Sequence, residues 1–210
     1  MPTAAVAACT GCRAGLRDGP PLRRWLATPT GPLLACGGRA TGADLVALVA
    51  AWKYRRRRSA AAVAVRLARR ARRLAVALAG DVELLVPVPL HPRRRAERGF
   101  NQAAVLAAGL AADGGGRVAR LLERRRPTPQ LARLAPVAAV RAAGVAGALR
   151  AVAAPDRPGT RVGLVDDLVT TGATAGAAAA ALAAAGWRVA WVVACGVAVD
   201  RRDDGPAGAP

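Results

Sequence analysis

Short apolar runs alternate with longer stretches of helical periodicity along this chain. Because strands that alternate with helices usually form one sheet covered by helices, the pattern predicts an α/β fold with a mostly parallel sheet flanked by helices. The predicted strands cover residues 33–36, 84–88, 118–122, 162–165 and 189–197, and the predicted helices cover residues 43–51, 60–79, 102–112 and 173–185.

The segment 124–158 interrupts this alternation. It contains five prolines and no convincing strand, so we expect a long irregular connection, which is either a lid over a ligand site or a solvent-facing linker. The sequence therefore divides into an N-terminal segment (1–31), one domain (32–199) and a C-terminal tail (200–210). The tail is rich in Asp, Gly and Pro, a composition typical of disorder.

Alanine and arginine dominate the composition. Hydrophobic residues make up 53% of the 210 residues but aromatic residues only 3%, so we expect a core of Val, Leu and Ala. The formal net charge of +19 attracts polyanions, and non-specific nucleic acid is one candidate partner. No aromatic residues interleave with the basic clusters to stack bases, and a biased coding composition explains much of the charge equally well.

Four cysteines leave little support for a metal site. Cys9 and Cys12 form one CxxC unit, but a structural zinc normally has four ligands and no second unit follows, which argues against a closed zinc site. Cys36 and Cys195 lie in apolar strands, which predicts packed thiols. Because we find neither a secretory signal nor an apolar stretch of about 20 residues, we expect a cytoplasmic protein without a membrane span.

The segment 161–174, RVGLVDDLVTTGAT, carries the clearest candidate chemistry. An apolar strand ends in Asp166 and Asp167 at the edge of the sheet where α/β proteins bind ligands, and two carboxylates accept hydrogen bonds from a diol such as ribose. The following loop opens a helix, whose N-terminal N–H groups favour a phosphate. The alternative is that these residues merely end a strand and cap a helix. The predicted phosphate-binding residues are Thr170, Thr171, Gly172, Ala173 and Thr174.

A second loop, rich in proline and arginine, follows the predicted strand 84–88. The planar fork of arginine suits phosphate oxygens, although a solvated surface is the better reading for most of these arginines individually. His91, the single histidine, is a candidate for lining the site rather than a general base. The residues of this loop that we expect at the site are Arg94, Arg98, Gly99 and Asn101.

The segment 161–174 resembles the signature of the type I phosphoribosyltransferases, which reads strand, two acidic residues, two further residues and TTGxT. The resemblance implies a Rossmann-like type I phosphoribosyltransferase fold. It also implies that Asp166 and Asp167 hold the ribose hydroxyls of phosphoribosyl pyrophosphate (PRPP) and that residues 170–174 hold its 5-phosphate. By the same resemblance, Mg²⁺ accompanies PRPP as the cofactor.

Further motifs narrow the resemblance. The stretches VPVPLHPRR, ERGFNQ and RRPTPQLARL resemble the ComF family, which comprises phosphoribosyltransferase-like proteins associated with competence for DNA uptake. The segment Trp52-Lys53-Tyr54, followed by a basic run, also resembles the family's usual Tyr-Lys segment. Members commonly begin with paired CxxC units, so the N-terminal segment here resembles a degenerate form of that start. The resemblance extends over about residues 32–199.

Two functions remain open at this point. In the first, the protein transfers the phosphoribosyl group of PRPP to a nucleobase-like acceptor and releases pyrophosphate. In the second, it is a non-catalytic PRPP- or DNA-associated module of the competence or DNA-uptake machinery, with competence or DNA-processing proteins as partners. No segment specifies the acceptor, and the sequence does not decide whether the protein is an enzyme.

Overall fold

The chain is described by a computed structural model that covers residues 19–55, 58–125 and 147–199. The helices are α1 (Ala43–Arg55), α2 (Arg58–Ala79), α3 (Pro92–Arg98), α4 (Gln102–Ala111) and α5 (Ala173–Ala183). The strands are β1 (Leu22–Thr28), β2 (Gly31–Gly37), β3 (Leu84–Pro87), β4 (Arg117–Val118), β5 (Leu122–Arg124), β6 (Leu149–Ala151), β7 (Arg161–Val165), β8 (Leu168–Val169), β9 (Arg188–Ala194) and β10 (Gly196–Val197).

Six strands form the main sheet in the order β1-β2-β9-β7-β3-β4. Within this sheet, β2 with β9, β9 with β7, β7 with β3 and β3 with β4 pair in parallel, and β1 with β2 pairs antiparallel. Two short two-stranded sheets, β8 with β10 and β5 with β6, stand beside it. The predicted α/β class, with a mostly parallel sheet flanked by helices, is confirmed.

The sheet separates two hydrophobic cores. Successive residues of β2 alternate between them, since Leu34 packs in the core that includes α1, α2 and α4, whereas Leu33 packs in the core that includes α5. Helix α2 presents a stripe of small residues to its core with helical spacing: Ala60, Ala64, Ala68, Ala71 and Ala75. The stripe lets the helix backbone come close to the sheet, and a Cβ on Gly38 would lie only 2.3 Å from the Leu67 carbonyl oxygen.

Several predicted strand boundaries are wrong. The predicted strand 118–122 is two strands in different sheets, β4 and β5. The predicted strand 189–197 breaks at Cys195, whose N–H donates to the Asp167 carbonyl at 3.0 Å instead of continuing the β7 ladder. The segment 124–158 is not without strands, because β6 lies within it and pairs antiparallel with β5. In each case a hydrogen-bonding partner distant in sequence decides where the strand ends.

Strand β1 was not predicted. Its residues alternate between exposed and less exposed positions, of which only Leu26 is buried, as an antiparallel edge strand does, and Arg23 and Arg24 hide the apolar pattern. Because β1 pairs with β2 along its whole length, the main sheet also includes residues that precede residue 32.

Both cysteines of the described residues are free and buried, which confirms the prediction of packed thiols for Cys36 and Cys195. Burial raises the pKa of the Cys36 thiol to about 12, and it raises the pKa of the Cys195 thiol further, so both thiols are protonated at neutral pH. Cys9, Cys12 and the tail 200–210 lie outside the described residues. Among the helices that are described, none is both long enough and apolar enough to cross a membrane.

Candidate functional site

Asp166 and Asp167 lie at the carboxyl end of β7, where the chain turns away from the sheet. The Asp166 Oδ1 atom accepts the Asp167 N–H at 2.8 Å, and the Asp167 Oδ1 atom accepts the Leu168 N–H at 2.7 Å. The turn therefore uses one oxygen of each carboxylate. Of the two remaining oxygens, Asp167 Oδ2 forms an ion pair with the Lys53 ammonium group of α1. Neither the hydrogen bonds of the turn nor the ion pair with Lys53 uses the second oxygen of Asp166.

The predicted phosphate loop forms a small depression next to Asp166. Its lining consists of Asp166 and residues 168–175, so all five predicted loop residues take part. Gly172 caps α5 in a left-handed conformation with φ 79° and has no side chain to close the first turn. The first-turn N–H groups of a helix lack intrahelical partners, which makes this end of α5 suited to an anion.

The prediction of an irregular, arginine-rich loop after β3 is wrong, because residues 92–98 form α3. Proline at its first position fits a helix start, and the His91 Nδ1 atom accepts the Arg93 N–H at 3.3 Å as the N-cap. Gly99 ends the helix with φ 78°. Arg98 is buried, donates to Gln102 Oε1 at 3.4 Å, and lies 5.4 Å from the centre of the Tyr54 ring.

Asn101 has a structural role. Its Oδ1 atom accepts the Ala103 N–H at 3.1 Å as the N-cap of α4, and its Nδ2 atom donates to the Val88 carbonyl at 2.9 Å. The side chain therefore fixes the start of α4 to the end of β3. It lines the cleft between the two loops, but its hydrogen bonds serve the fold.

Replacing Asn101 by alanine is expected to lower the free energy of unfolding by about 1–2 kcal/mol, because the variant loses an N-cap and leaves the Val88 carbonyl without its partner. Urea denaturation followed by circular dichroism measures the change. Asn101→Ser is the matched control, since its hydroxyl can cap α4 and it loses only the bond to Val88. Equal stability of Asn101→Ala and the wild type would contradict this role.

The two predicted loops meet in one cleft of about 160 Å³ at the carboxyl ends of β3 and β7. Six predicted site residues line it: Asp166, Asp167, Thr174, Arg94, Arg98 and Asn101. The loop residues 170–173 line the neighbouring depression instead, and Asp166 and Thr174 belong to both concavities. Gly99 lines neither and acts through the end of α3.

Three further polar or charged residues of this cleft were not among the predicted site residues: Lys53, Gln102 and Arg124. Lys53 lies in the segment that resembles the Tyr-Lys pattern, which was the available signal. Gln102 follows the predicted Asn101 directly, but nothing in the pattern distinguishes a site residue from a buried helix residue. Arg124 ends β5, whose position next to the acid pair depends on tertiary structure.

Charge is concentrated at the floor of the cleft. Burial, together with the neighbouring Asp167 charge, raises the pKa of the Asp166 carboxyl to about 7, even though the side chain keeps partial contact with solvent. Burial also lowers the pKa of the Arg124 guanidinium, and the nearby Arg94 charge lowers it further, whereas Asp166 opposes this. The Arg124 guanidinium therefore lies in the field of one like charge, Arg94, and one opposite charge, Asp166.

The raised pKa of Asp166 has a consequence for stability. Between pH 4 and pH 7 the folded protein keeps the Asp166 proton while the unfolded chain, with a value of 3.8, loses it. The contribution of Asp166 to the free energy of unfolding therefore falls as pH rises through this window. Asp166→Asn is expected to abolish that decline. Its free energy of unfolding should exceed that of the wild type by about 1–3 kcal/mol at pH 8 and differ little from it at pH 4.

Urea denaturation of both proteins at pH 4 and pH 8 measures this difference. Asp113→Asn serves as the control, because Asp113 pairs with Arg69 at the surface of α2, away from the cleft. A constant difference between Asp166→Asn and the wild type at both pH values would show that Asp166 does not titrate as expected.

The acid pair fits a magnesium ion that arrives with a phosphorylated ligand. Mg²⁺ is usually held by one or two carboxylates together with substrate phosphates and water, and two adjacent carboxylates meet that requirement. Among residues 19–55, 58–125 and 147–199, no three His, Cys, Asp or Glu side chains cluster to form a cage of protein ligands alone.

Comparison of the chain with known proteins leaves the interpretation to the site itself. No model of a protein family matches the sequence, and no curated protein matches it significantly.

Proposed function

We propose that this chain is a ComF-like protein of the type I phosphoribosyltransferase fold that binds PRPP with Mg²⁺. One observation carries the proposal: the acid pair after β7 and the arginine loop after β3 line one cleft, while the threonine loop opens beside the same Asp166. The strands β3 and β7 are direct neighbours in the sheet, so the two loops end at the same edge. Carboxylates that can accept hydrogen bonds from ribose, N–H and hydroxyl groups that can donate to a phosphate, and arginine side chains are thus adjacent.

In this proposal Asp166 and Asp167 accept hydrogen bonds from the two ribose hydroxyls and orient the anomeric carbon toward the cleft. The first-turn N–H groups of α5 and the hydroxyls of the loop 170–174 hold the 5-phosphate. Arg94, Arg98 and Arg124 stabilise the charge of the pyrophosphate as it leaves. Bound Mg²⁺ would neutralise part of the same pyrophosphate charge.

The reaction that follows from this arrangement is phosphoribosyl transfer to a nucleobase-like acceptor. A ring nitrogen of the acceptor forms a bond to the anomeric carbon, the bond from that carbon to pyrophosphate breaks, and pyrophosphate leaves with the electron pair. Lys53 lies beside the acid pair and limits the negative charge that the ribose meets. Catalysis would come from positioning and charge stabilisation rather than from a covalent intermediate.

Calorimetric titration of PRPP with Mg²⁺ into the full chain tests the proposal. We expect saturable binding of PRPP. Ribose 5-phosphate and pyrophosphate should each compete with PRPP, since each occupies one half of the site. A screen of nucleobases for pyrophosphate release then tests for transfer. A complete lack of PRPP binding would remove the central claim.

Exposed arginines favour a second candidate function, a non-catalytic module that associates with DNA in a competence or DNA-uptake system. Arg66 and Arg73 are exposed on α2, and Arg117 and Arg120 are exposed near β4. Tight PRPP binding without pyrophosphate release for any acceptor would favour this module. DNA retention should then decrease steeply with salt, because backbone contacts release counterions.

A further inference from the structure

A groove opens at the opposite end of the strands from the candidate site. Pairing between β2 and β9 begins only at Ala35 and Val192, so the preceding parts of the two strands separate. The space between them forms a groove of about 610 Å³, within the usual range of small-molecule sites. It lies at the amino ends of β7 and β9, whereas the acid pair follows the carboxyl end of β7.

Two tryptophans form walls of this groove. Trp187 is buried, and its indole N–H donates to the Ala153 carbonyl at 2.8 Å, which fixes the ring. Trp25 on β1 is 37% exposed, an unusual exposure for the largest apolar side chain. Ala179 and Ala183 of α5 add small apolar surface between them. A flat apolar body would find contacts on several sides here.

Two arginines line the same groove. Arg161 and Arg188 are direct neighbours across β7 and β9, an arrangement in which like charges repel. Arg161 donates to the Ala79 carbonyl, so its position is fixed. Among the described residues that line the groove there is no Asp or Glu to compensate the two charges. The repulsion is relieved when an anion binds between them.

We propose that this groove is a second ligand site, which takes a flat aromatic body carrying a carboxylate or a phosphate. The aromatic body packs between Trp25 and Trp187, and the anionic group pairs with Arg161 and Arg188. The ligand needs an anionic group because Arg161 and Arg188 are the only charged residues among the described residues that line the groove. This proposal is independent of PRPP binding, since the two sites share no lining residue.

Isothermal titration with three probes tests the site: 2-naphthoate, 2-naphthyl phosphate and the uncharged 2-naphthol. At least one anion is expected to bind at least about tenfold more tightly than 2-naphthol, and the better of the two identifies the carboxylate or the phosphate as the preferred group. Arg188→Gln is expected to weaken that anion about tenfold. Ala183→Phe, at an exposed helix position, is expected to fill the groove and abolish binding.

Arg157→Gln is the matched control, because Arg157 is exposed but does not line the groove. Its affinity for the probe should equal that of the wild type. Absence of binding, equal affinity for 2-naphthol, equal weakening by Arg157→Gln and Arg188→Gln, or full binding to a folded Ala183→Phe would each overturn the proposal. If Ala183→Phe does not fold, the comparison of the two arginine variants decides.

Discussion

Replacing Asp166 and Asp167 together by asparagine is expected to weaken PRPP binding at least about 100-fold. At pH 8, where Asp166 is largely ionised, each carboxylate would lose a charged hydrogen bond to a ribose hydroxyl, and such bonds contribute about 1.5–3 kcal/mol each. Two of them correspond to a factor of at least about 100, since about 1.4 kcal/mol changes affinity tenfold. The fold is expected to persist, because asparagine retains the oxygen that accepts the N–H groups of Asp167 and Leu168.

Calorimetry with two ligands separates this effect from a general change in charge. Pyrophosphate lacks ribose, so in the absence of Mg²⁺ the double variant should bind it at least as tightly as the wild type does, because negative charge has been removed from the cleft. Asp113→Asn, which alters a carboxylate outside the cleft, should bind PRPP as the wild type does. Unchanged PRPP affinity in the double variant would mean that the acid pair does not hold the ribose.

Gly163→Ala is expected to lower the free energy of unfolding by about 3–5 kcal/mol, a large share of the roughly 5–15 kcal/mol by which a folded protein is normally stable. A Cβ at Gly163 would lie 2.2 Å from two ring atoms of Trp191. That ring is fully buried, and its indole N–H donates to the Gly80 carbonyl at 3.0 Å. The ring has no space to move, and the register between β7 and β9 already shifts at this point.

Urea denaturation measures the loss, and Gly176→Ala provides the same substitution at a tolerant position. A Cβ at Gly176 would have its nearest neighbour at 3.6 Å, and the residue lies inside α5. Alanine there is expected to stabilise the protein by about 0.5–1 kcal/mol, because glycine is unfavourable in a helix. If Gly163→Ala were as stable as the wild type within about 1 kcal/mol, the packing of Trp191 against β7 would not be as described.

The parallel strands were predictable from sequence because burial on both faces leaves a continuous apolar run. The predicted strands 33–36, 84–88 and 162–165 correspond to β2, β3 and β7. The antiparallel and short strands were not predictable in this way, since their apolar residues alternate or number only one or two. Their existence depends on partners distant along the chain, as for β5 with β6.

The site was predictable as far as local motifs reach. The pattern after β7 predicted Asp166, Asp167 and the loop 170–174. In the structure Asp166, Asp167 and Thr174 line one cleft with Arg94 and Arg98, and residues 170–173 line the neighbouring depression. The sequence did not reveal that Asn101 fixes α4 to β3, since capping and ligand binding use the same amide chemistry. It also missed Arg124, whose position depends on the pairing of β5 with β6.

The ion pair between Lys53 and Asp167 gives the ligand-free cleft a counterion of its own. A ribose hydroxyl that approaches Asp167 competes with an ammonium group attached to α1, so part of the binding free energy is spent on separating that pair. The displaced ammonium remains tethered in the cleft, where it can pair with a phosphate oxygen of the same ligand. Ligand binding would then exchange one partner of Lys53 for another and change the charge balance around the lysine very little.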